Sequence, residues 1–323
     1  MKKKYKILVG IIVSLFVLFT GAGFIAGNYF YNLALNPQSD KTAVLDAPHN
    51  LIDSNPNEVK EKEARETWFN SHYEEATIQS VDQLKLHAYS IKNQNGSNKW
   101  AIIFHGYSSD GLQMTKYAKH FYDMGYNVLI PDARGHGKSE GDYIGMGWHD
   151  RLDVVSWIDN TVQLNNDAEI VLFGVSMGGA TVMMASGEEL PTNVKAIIED
   201  CGYSSVWGEF SYQLKAIFHL PAFPIMYFAS AVTKLKADYT LGEADTVKQV
   251  AKSQTPMLFI HGSNDTFVPS SMLNEVYEAA NVPKEKLLVE GAGHGRAEDV
   301  AGAKYWETIQ SFLGASHSHN LLF

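Results

Sequence analysis

The sequence predicts an α/β domain with a mostly parallel sheet, helices on both faces and a small helical cap, preceded by an N-terminal transmembrane helix. Two patterns lead there. The first is a series of short apolar runs, Trp100–Phe104, Asn127–Ile130, Ile170–Phe173, Val194–Ile198, Met257–Ile260 and Leu287–Val289. Each is strand-length, rich in Ile, Val, Leu and Phe, and ends near Gly, His or Asp. Helix-length stretches separate them, as in parallel strands covered on both faces. The second is Ile7–Gly27, a run without a charged residue. As a helix it rises about 31 Å, the thickness of a bilayer's hydrocarbon core.

The remaining elements follow in chain order. Lys2, Lys3, Lys4 and Lys6 form a basic segment over residues 1–6, expected to stay in the cytoplasm and place the rest of the chain outside. Tyr29, Phe30 and Tyr31 stand where an interfacial aromatic belt would lie. A cleaved signal peptide is the competing reading, with Gly21-Ala22-Gly23 as the cut, but the apolar run continues through Phe24 and Ile25. Asn36 to about Thr67 is polar and contains Pro37, Pro48 and Pro56, which predicts a stalk over residues 28–74 with a short helix near Glu58–Phe69. The main domain is expected over 75–314 and a tail over 315–323. Leu84, Leu86 and Ala88 alternate with Lys85, His87 and Tyr89, the pattern of a half-buried antiparallel strand. The interval between Glu199 and Met257 is too long for one crossover helix. Its aromatic part, with Trp207, Phe210, Phe218, Phe223, Tyr227 and Phe228, reads as a cap over about 203–240, above the carboxyl edge where open α/β sheets bind ligands.

Composition narrows the function. The 323 residues carry 26 Lys+Arg against 36 Asp+Glu, and four of the basic residues precede Ile7. An acidic body argues against nucleic-acid binding and against docking on anionic lipid. The single cysteine, Cys201, makes an internal disulfide impossible.

The chemistry is concentrated at strand ends. Gly174-Val175-Ser176-Met177-Gly178 follows one apolar run and precedes a helical one. A turn that tight needs neighbours almost free of side chain, and it holds the serine hydroxyl clear of the sheet at a helix N-terminus. Such a hydroxyl needs a base. His294, in Gly293-His294-Gly295 past Leu287–Val289, can reach over the carboxyl edge on its glycine loop. Asp265, in His261-Gly262-Ser263-Asn264-Asp265, can orient it. Two oxyanion donors are expected, the backbone N–H of Met177 and that of Tyr107 in His105-Gly106-Tyr107. His105 reads as a loop brace, and Asp132 with Arg134 as an ion pair or brace near the site. Pro131–Ser139 lacks P-loop spacing, so no phosphate cradle is expected there, and the histidines lack metal-ligand spacing, so no metal is expected.

These motifs, with Asp132-Ala133-Arg134-Gly135-His136-Gly137-Lys138-Ser139, resemble the α/β-hydrolase superfamily from about residue 75 to 314. More narrowly, the chain looks like membrane-anchored bacterial members grouped with serine aminopeptidase-like (S33-type) hydrolases. The resemblance implies an eight-stranded-type, mostly parallel sheet, nucleophile Ser176, acid Asp265, base His294, oxyanion donors Tyr107 and Met177, and no cofactor. The expected activity is hydrolysis of carboxylic esters with apolar, short- to medium-chain acyl groups, the substrate being a small ester or lipid-like molecule. The same triad also serves peptide amides or thioesters. An aminopeptidase would place a carboxylate near the site, and Glu209, Glu243 and Asp238 are the candidates, each expected to be solvated. A surface binding protein on a hydrolase fold is the reading from another class; degenerate members usually lose a triad residue, and here none is missing.

Overall fold

Eight strands form one sheet in a computed structural model that describes residues 2–45 and 56–319. The strands are β1 (Glu74–Gln79), β2 (Lys85–Ile91), β3 (Lys99–Phe104), β4 (Asn127–Pro131), β5 (Glu169–Val175), β6 (Val194–Asp200), β7 (Met257–Gly262) and β8 (Lys284–Val289). Their order is β1-β2-β4-β3-β5-β6-β7-β8, antiparallel at β1–β2 and β2–β4 and parallel from β4 onward. The helices are α1 (Lys2–Leu35), α2 (Thr42–Leu45), α3 (Pro56–His72), α4 (Thr115–Asp123), α5 (Asp150–Leu164), α6 (Met177–Ala185), α7 (Val206–Phe218), α8 (Ile225–Ala237), α9 (Thr246–Val250), α10 (Ser271–Ala279), α11 (Ala297–Ala301) and α12 (Ala303–His319).

Alternation along the strands divides the core in two. Ala101 and Ile103 of β3 join Phe121 of α4 and Ile309 and Phe312 of α12 on one face. Trp100, Ile102 and Phe104 join Trp157 of α5, Val182 of α6 and Val276 of α10 on the other. Side-chain period two therefore fills both faces, as continuous apolar strands require. The strand around Leu84–Tyr89 differs from expectation. Leu86, His87, Ala88 and Tyr89 are all buried, because β2 lies inside the sheet and His87 is tied to the Asp132 carboxylate at 2.8 Å.

A third cluster lies above the carboxyl edge. Helices α7 and α8 form the expected cap as a hairpin, and its core joins Leu214, Met226, Ala229 and Val232 to Tyr31 and Leu35 of α1. The segment expected to be a stalk is thus packed at its start. Helix α1 continues to Leu35, where Asn36-Pro37 stops it. Its free carbonyls are capped by Lys41, whose Nζ donates to Leu33 O at 2.8 Å and Asn36 O at 2.7 Å. Ile144 N donates to Leu35 O at 2.8 Å, and Tyr107 Oη to Ala34 O at 2.7 Å, fixing the helix end to two loops of the domain. Farther on, α3 lays the buried Phe69 on the sheet core. Residues 46–55 of the expected stalk lie outside the described residues. The expected tail begins inside α12, and residues 320–323 are also outside them.

Candidate active site

The turn after β5 is made by its glycines. A Cβ at Gly174 would stand 2.1 Å from Gly178 O, and one at Gly178 would stand 2.1 Å from Phe104 O. Only hydrogen fits at either position. Between them Ser176 is held at φ 56°, ψ −117°, a sparsely populated conformation that lifts its side chain off the sheet. Its N–H donates to Asp200 O at 2.7 Å, and its carbonyl accepts from Ala180 N at 2.9 Å, so both adjoining elements lock the turn.

The loops after β7 and β8 bring two further side chains to this serine. His294 Nε2 lies 2.8 Å from Ser176 Oγ, and His294 Nδ1 lies 2.7 Å from Asp265 Oδ2. Asp265 Oδ1 accepts from the backbone N–H groups of Phe267 and Val268, both at 2.9 Å. Burial alone would raise this carboxyl. Its hydrogen bonds to His261 and His294 outweigh that and hold it well below the usual carboxylate range. An ionised Asp265 can only accept, so Nδ1 of His294 carries the proton and Nε2 is free to accept from the serine hydroxyl. His294 remains partly open to solvent, with 21% of its side chain exposed, and its ring lies 4.9 Å from that of Phe267.

The loop after β3 closes the other side. A Cβ on Gly106 would meet Ser176 Cβ at 3.5 Å and Oγ at 4.0 Å, so the Gly106–Tyr107 backbone runs directly past the nucleophile. Met177 is the first residue of α6, whose start lies against the same loop: a Cβ on Gly178 would stand 2.8 Å from His105 O. His105 braces this loop as expected: Nδ1 donates to Gly106 O at 2.8 Å and Nε2 accepts from Ala133 N at 3.0 Å. Complete burial lowers its pKa to about 4, so it is neutral in that role.

Asp132 and Arg134 brace the neighbouring loop with different partners from those expected. They do not pair with each other. Asp132 accepts from His87 Nδ1 and from Gly111 N at 2.8 Å, and from Lys138 N at 3.0 Å. Arg134 is buried and forks onto Asp153 at 2.8 and 2.7 Å and onto Asp82 at 2.8 and 3.1 Å. Both partners lie on other elements, so local sequence carried no sign of them.

Three further groups lie near the site. Glu209, expected in solvent, is only 3% exposed and lines an apolar pocket together with Ser176. Its Oε1 accepts from Gln213 Nε2 at 2.9 Å, while Oε2 has no partner among the described residues. Burial, reinforced by the charge of Asp265, pushes its carboxyl up to about 8. The i, i+4 spacing of Glu209 and Gln213 was the one available signal. His261 sits behind Asp265 and donates from Nε2 to Val268 O at 3.0 Å and Asp265 at 3.2 Å. Its burial would depress it, but Asp265 and the nearby Glu199 charge raise it. Cys201, Asp265 and His294 bring their ligand atoms within 4.8 Å of one another. As a donor set they suit a metal poorly, since Asp265 and His294 bond each other and burial pushes the Cys201 thiol up, away from the thiolate a metal needs.

Among known proteins, the family model for serine aminopeptidase, S33, matches residues 97–216. YqkD of Bacillus subtilis is 32% identical over 215 residues, which cover 66% of this chain and 70% of that protein. The chain belongs to the α/β-hydrolase superfamily. The α/β hydrolase domain-containing protein WAV2 of Arabidopsis thaliana is 25% identical, covering 75% of this chain and 78% of WAV2. The membrane protein YNL320W of Saccharomyces cerevisiae is 24% identical, with 75% and 79% covered. Among solved structures, an esterase of Pyrococcus furiosus shares the fold with a TM-score of 0.61 at 23% identity, covering 83% of this chain and 96% of the esterase. The acylaminoacyl peptidase of Pyrococcus horikoshii shares it at 0.55 and 17% identity, covering 75% of this chain and 41% of the peptidase.

Proposed function

We propose that this α/β hydrolase cleaves carboxylic esters by acyl transfer to Ser176, working from an N-terminal membrane anchor. The observation that carries the reading is the pair of hydrogen bonds, 2.8 and 2.7 Å, joining Ser176 to His294 and His294 to Asp265. In this reading Ser176 Oγ attacks the ester carbonyl while His294 Nε2 takes its proton. Asp265 holds the imidazole's tautomer and steadies its cationic form. The N–H groups of Tyr107 and Met177 receive the oxyanion. His294 then protonates the departing alcohol, and water repeats the sequence to free the acid.

An ester is favoured over a peptide by the pocket beside Ser176, whose walls are almost wholly apolar. The fold-sharing esterase adds support. A peptidase reading draws on Glu209, the one carboxyl in that pocket, and on the S33 family model. An aminopeptidase needs that carboxyl ionised to hold an ammonium, and burial keeps Glu209 protonated near neutral pH. The lysines at the start of α1, Lys2, Lys3, Lys4 and Lys6, favour an orientation with the domain outside the cell.

Ser176→Ala is expected to abolish turnover of p-nitrophenyl butyrate, a loss on the order of 10⁶ in kcat, together with fluorophosphonate labelling. Labelling that persists in the variant moves the nucleophile elsewhere. Faster turnover of aminoacyl-naphthylamides than of esters reverses the choice of substrate.

A further inference from the structure

The anchor helix is also a wall of the pocket. Ala34 and Phe30 of α1, Leu214 and Phe218 of α7, and Met226 of α8 line the same cavity as Ser176. The seam between α1 and the cap is closed by the Phe30 and Phe218 rings, 5.3 Å apart. Both side chains are half-buried, so the seam reaches the surface.

Helix length sets the depth of that surface. Helix α8 runs beside α1, with the Phe228 ring 5.8 Å from Phe19 and 5.5 Å from Phe24. Gly23 and Gly27 permit the approach, since a Cβ on Gly27 would stand 2.6 Å from the Phe228 backbone. This is the small-xxx-small contact of packed membrane helices. The part of the apolar run before that contact, Ile7–Leu18, rises only about 18 Å, against a hydrocarbon core of about 30 Å. Roughly 12 Å of hydrocarbon must therefore lie level with Phe19–Gly27, where the start of α8 is packed.

The cap's composition suits that depth. From Ala216 to Thr233 it contains no Asp, Glu, Lys or Arg. It also exposes Phe223 at 70% and Tyr227 at 59%. These side chains continue the apolar surface of a helix whose most hydrophobic stretch is nowhere buried.

We propose that the start of the cap is immersed in the domain-side leaflet, and that the seam between α1 and the cap admits the acyl chain of a membrane-resident lipid ester to Ser176. The inference rests on the hydrolase reading for its chemistry. Water cleaves the acyl C–O bond, its oxygen ending in the fatty acid and a proton on the released alcohol. The apolar chain never crosses water on its way in, and the polar product alcohol leaves toward the solvent side of His294.

The test uses the full chain in phosphatidylcholine vesicles. Because Cys201 is buried, a cysteine introduced as Phe223→Cys takes an environment-sensitive dye selectively. Lipids carrying a nitroxide on the acyl chain are expected to quench it at least threefold more than the same dye at Leu164→Cys, an exposed position at the end of α5. Phe223→Asp combined with Tyr227→Asp is expected to lower hydrolysis of 4-methylumbelliferyl oleate held in the vesicles at least tenfold. Turnover of soluble 4-methylumbelliferyl butyrate should stay within twofold, which also reports that the variant is folded. Equal quenching at both positions overturns the proposal, whether water or another protein covers the cap. So does an oleate rate that the double substitution leaves unchanged. Absence of butyrate turnover in the unaltered protein is a failure of the hydrolase reading instead, and the quenching comparison still decides immersion.

Discussion

Glu209→Gln isolates one buried proton. The substitution keeps the shape and the acceptor for Gln213 while removing the ability to ionise. In the folded chain this carboxyl holds its proton to about pH 8, because burial opposes the charge; its ordinary value is 4.5. Between those two values unfolding releases a proton, so the native protein loses stability as pH rises, by about 1.4 kcal/mol per pH unit. Below that window both states are protonated, and above it both are ionised, so the contribution is flat on either side. The variant lacks this slope. Relative to the native protein, the Glu209→Gln variant should therefore gain on the order of 4 kcal/mol between pH 5 and pH 8. A pH-independent offset is also expected, since the new amide N–H₂ occupies the position of Oε2, which has no partner among the described residues. Glu199, also pushed up to about 8 by burial, and Asp200, raised to about 6, titrate in both proteins and cancel in the difference. Urea-unfolding midpoints in detergent micelles at pH 5, 6, 7, 8 and 9 measure it. Two curves that run parallel from pH 5 to 8 would mean that Glu209 is already charged in the folded state, and the argument for a neutral acyl pocket would fall with it.

Three other perturbations have defined outcomes. Asp265→Asn removes the ionised acceptor at 2.7 Å from His294, so the imidazole loses its tautomer; kcat for a soluble ester should drop about 10⁴-fold with KM little changed. Arg134→Ala strands the Asp153 carboxylate, 8% exposed, without its fork. It should cost about 3–5 kcal/mol in urea unfolding, and Arg134→Lys should recover only part, because one ammonium cannot hold Asp153 and Asp82 together. Gly178→Ala forces a Cβ to 2.1 Å from Phe104 O and should fail to give folded protein, whereas Gly242→Ala, with open space around it, should unfold within about 0.5 kcal/mol of the native chain.

The sequence was most informative where geometry is imposed locally. Gly174 and Gly178 mark a turn that tolerates no side chain, and the apolar runs of β3 to β7 each announce a strand covered on both faces, while that of β8 forms an edge strand with Leu288 exposed. Ser176, Asp265 and His294 could be found because each stands just past such a run. Other features depend on what folding brings alongside. Glu209 is a charged residue by type, and only the closing of α7 over the site buries it. The partners of Arg134 come from Asp82 and Asp153, far apart in the chain. The second role of α1 was hidden for a different reason: a helix apolar on every side has no periodicity to reveal which flank meets protein. Gly23 and Gly27, four residues apart, are the trace of that contact in the sequence.

Phe30 and Ala34 make the N-terminal apolar helix and the pocket beside Ser176 share residues. A gene fusion that exchanged this helix for another, or an expression design that trimmed it to gain solubility, would deliver a domain with one side of that pocket missing. Chain-length preferences measured on such a fragment would describe a different enzyme.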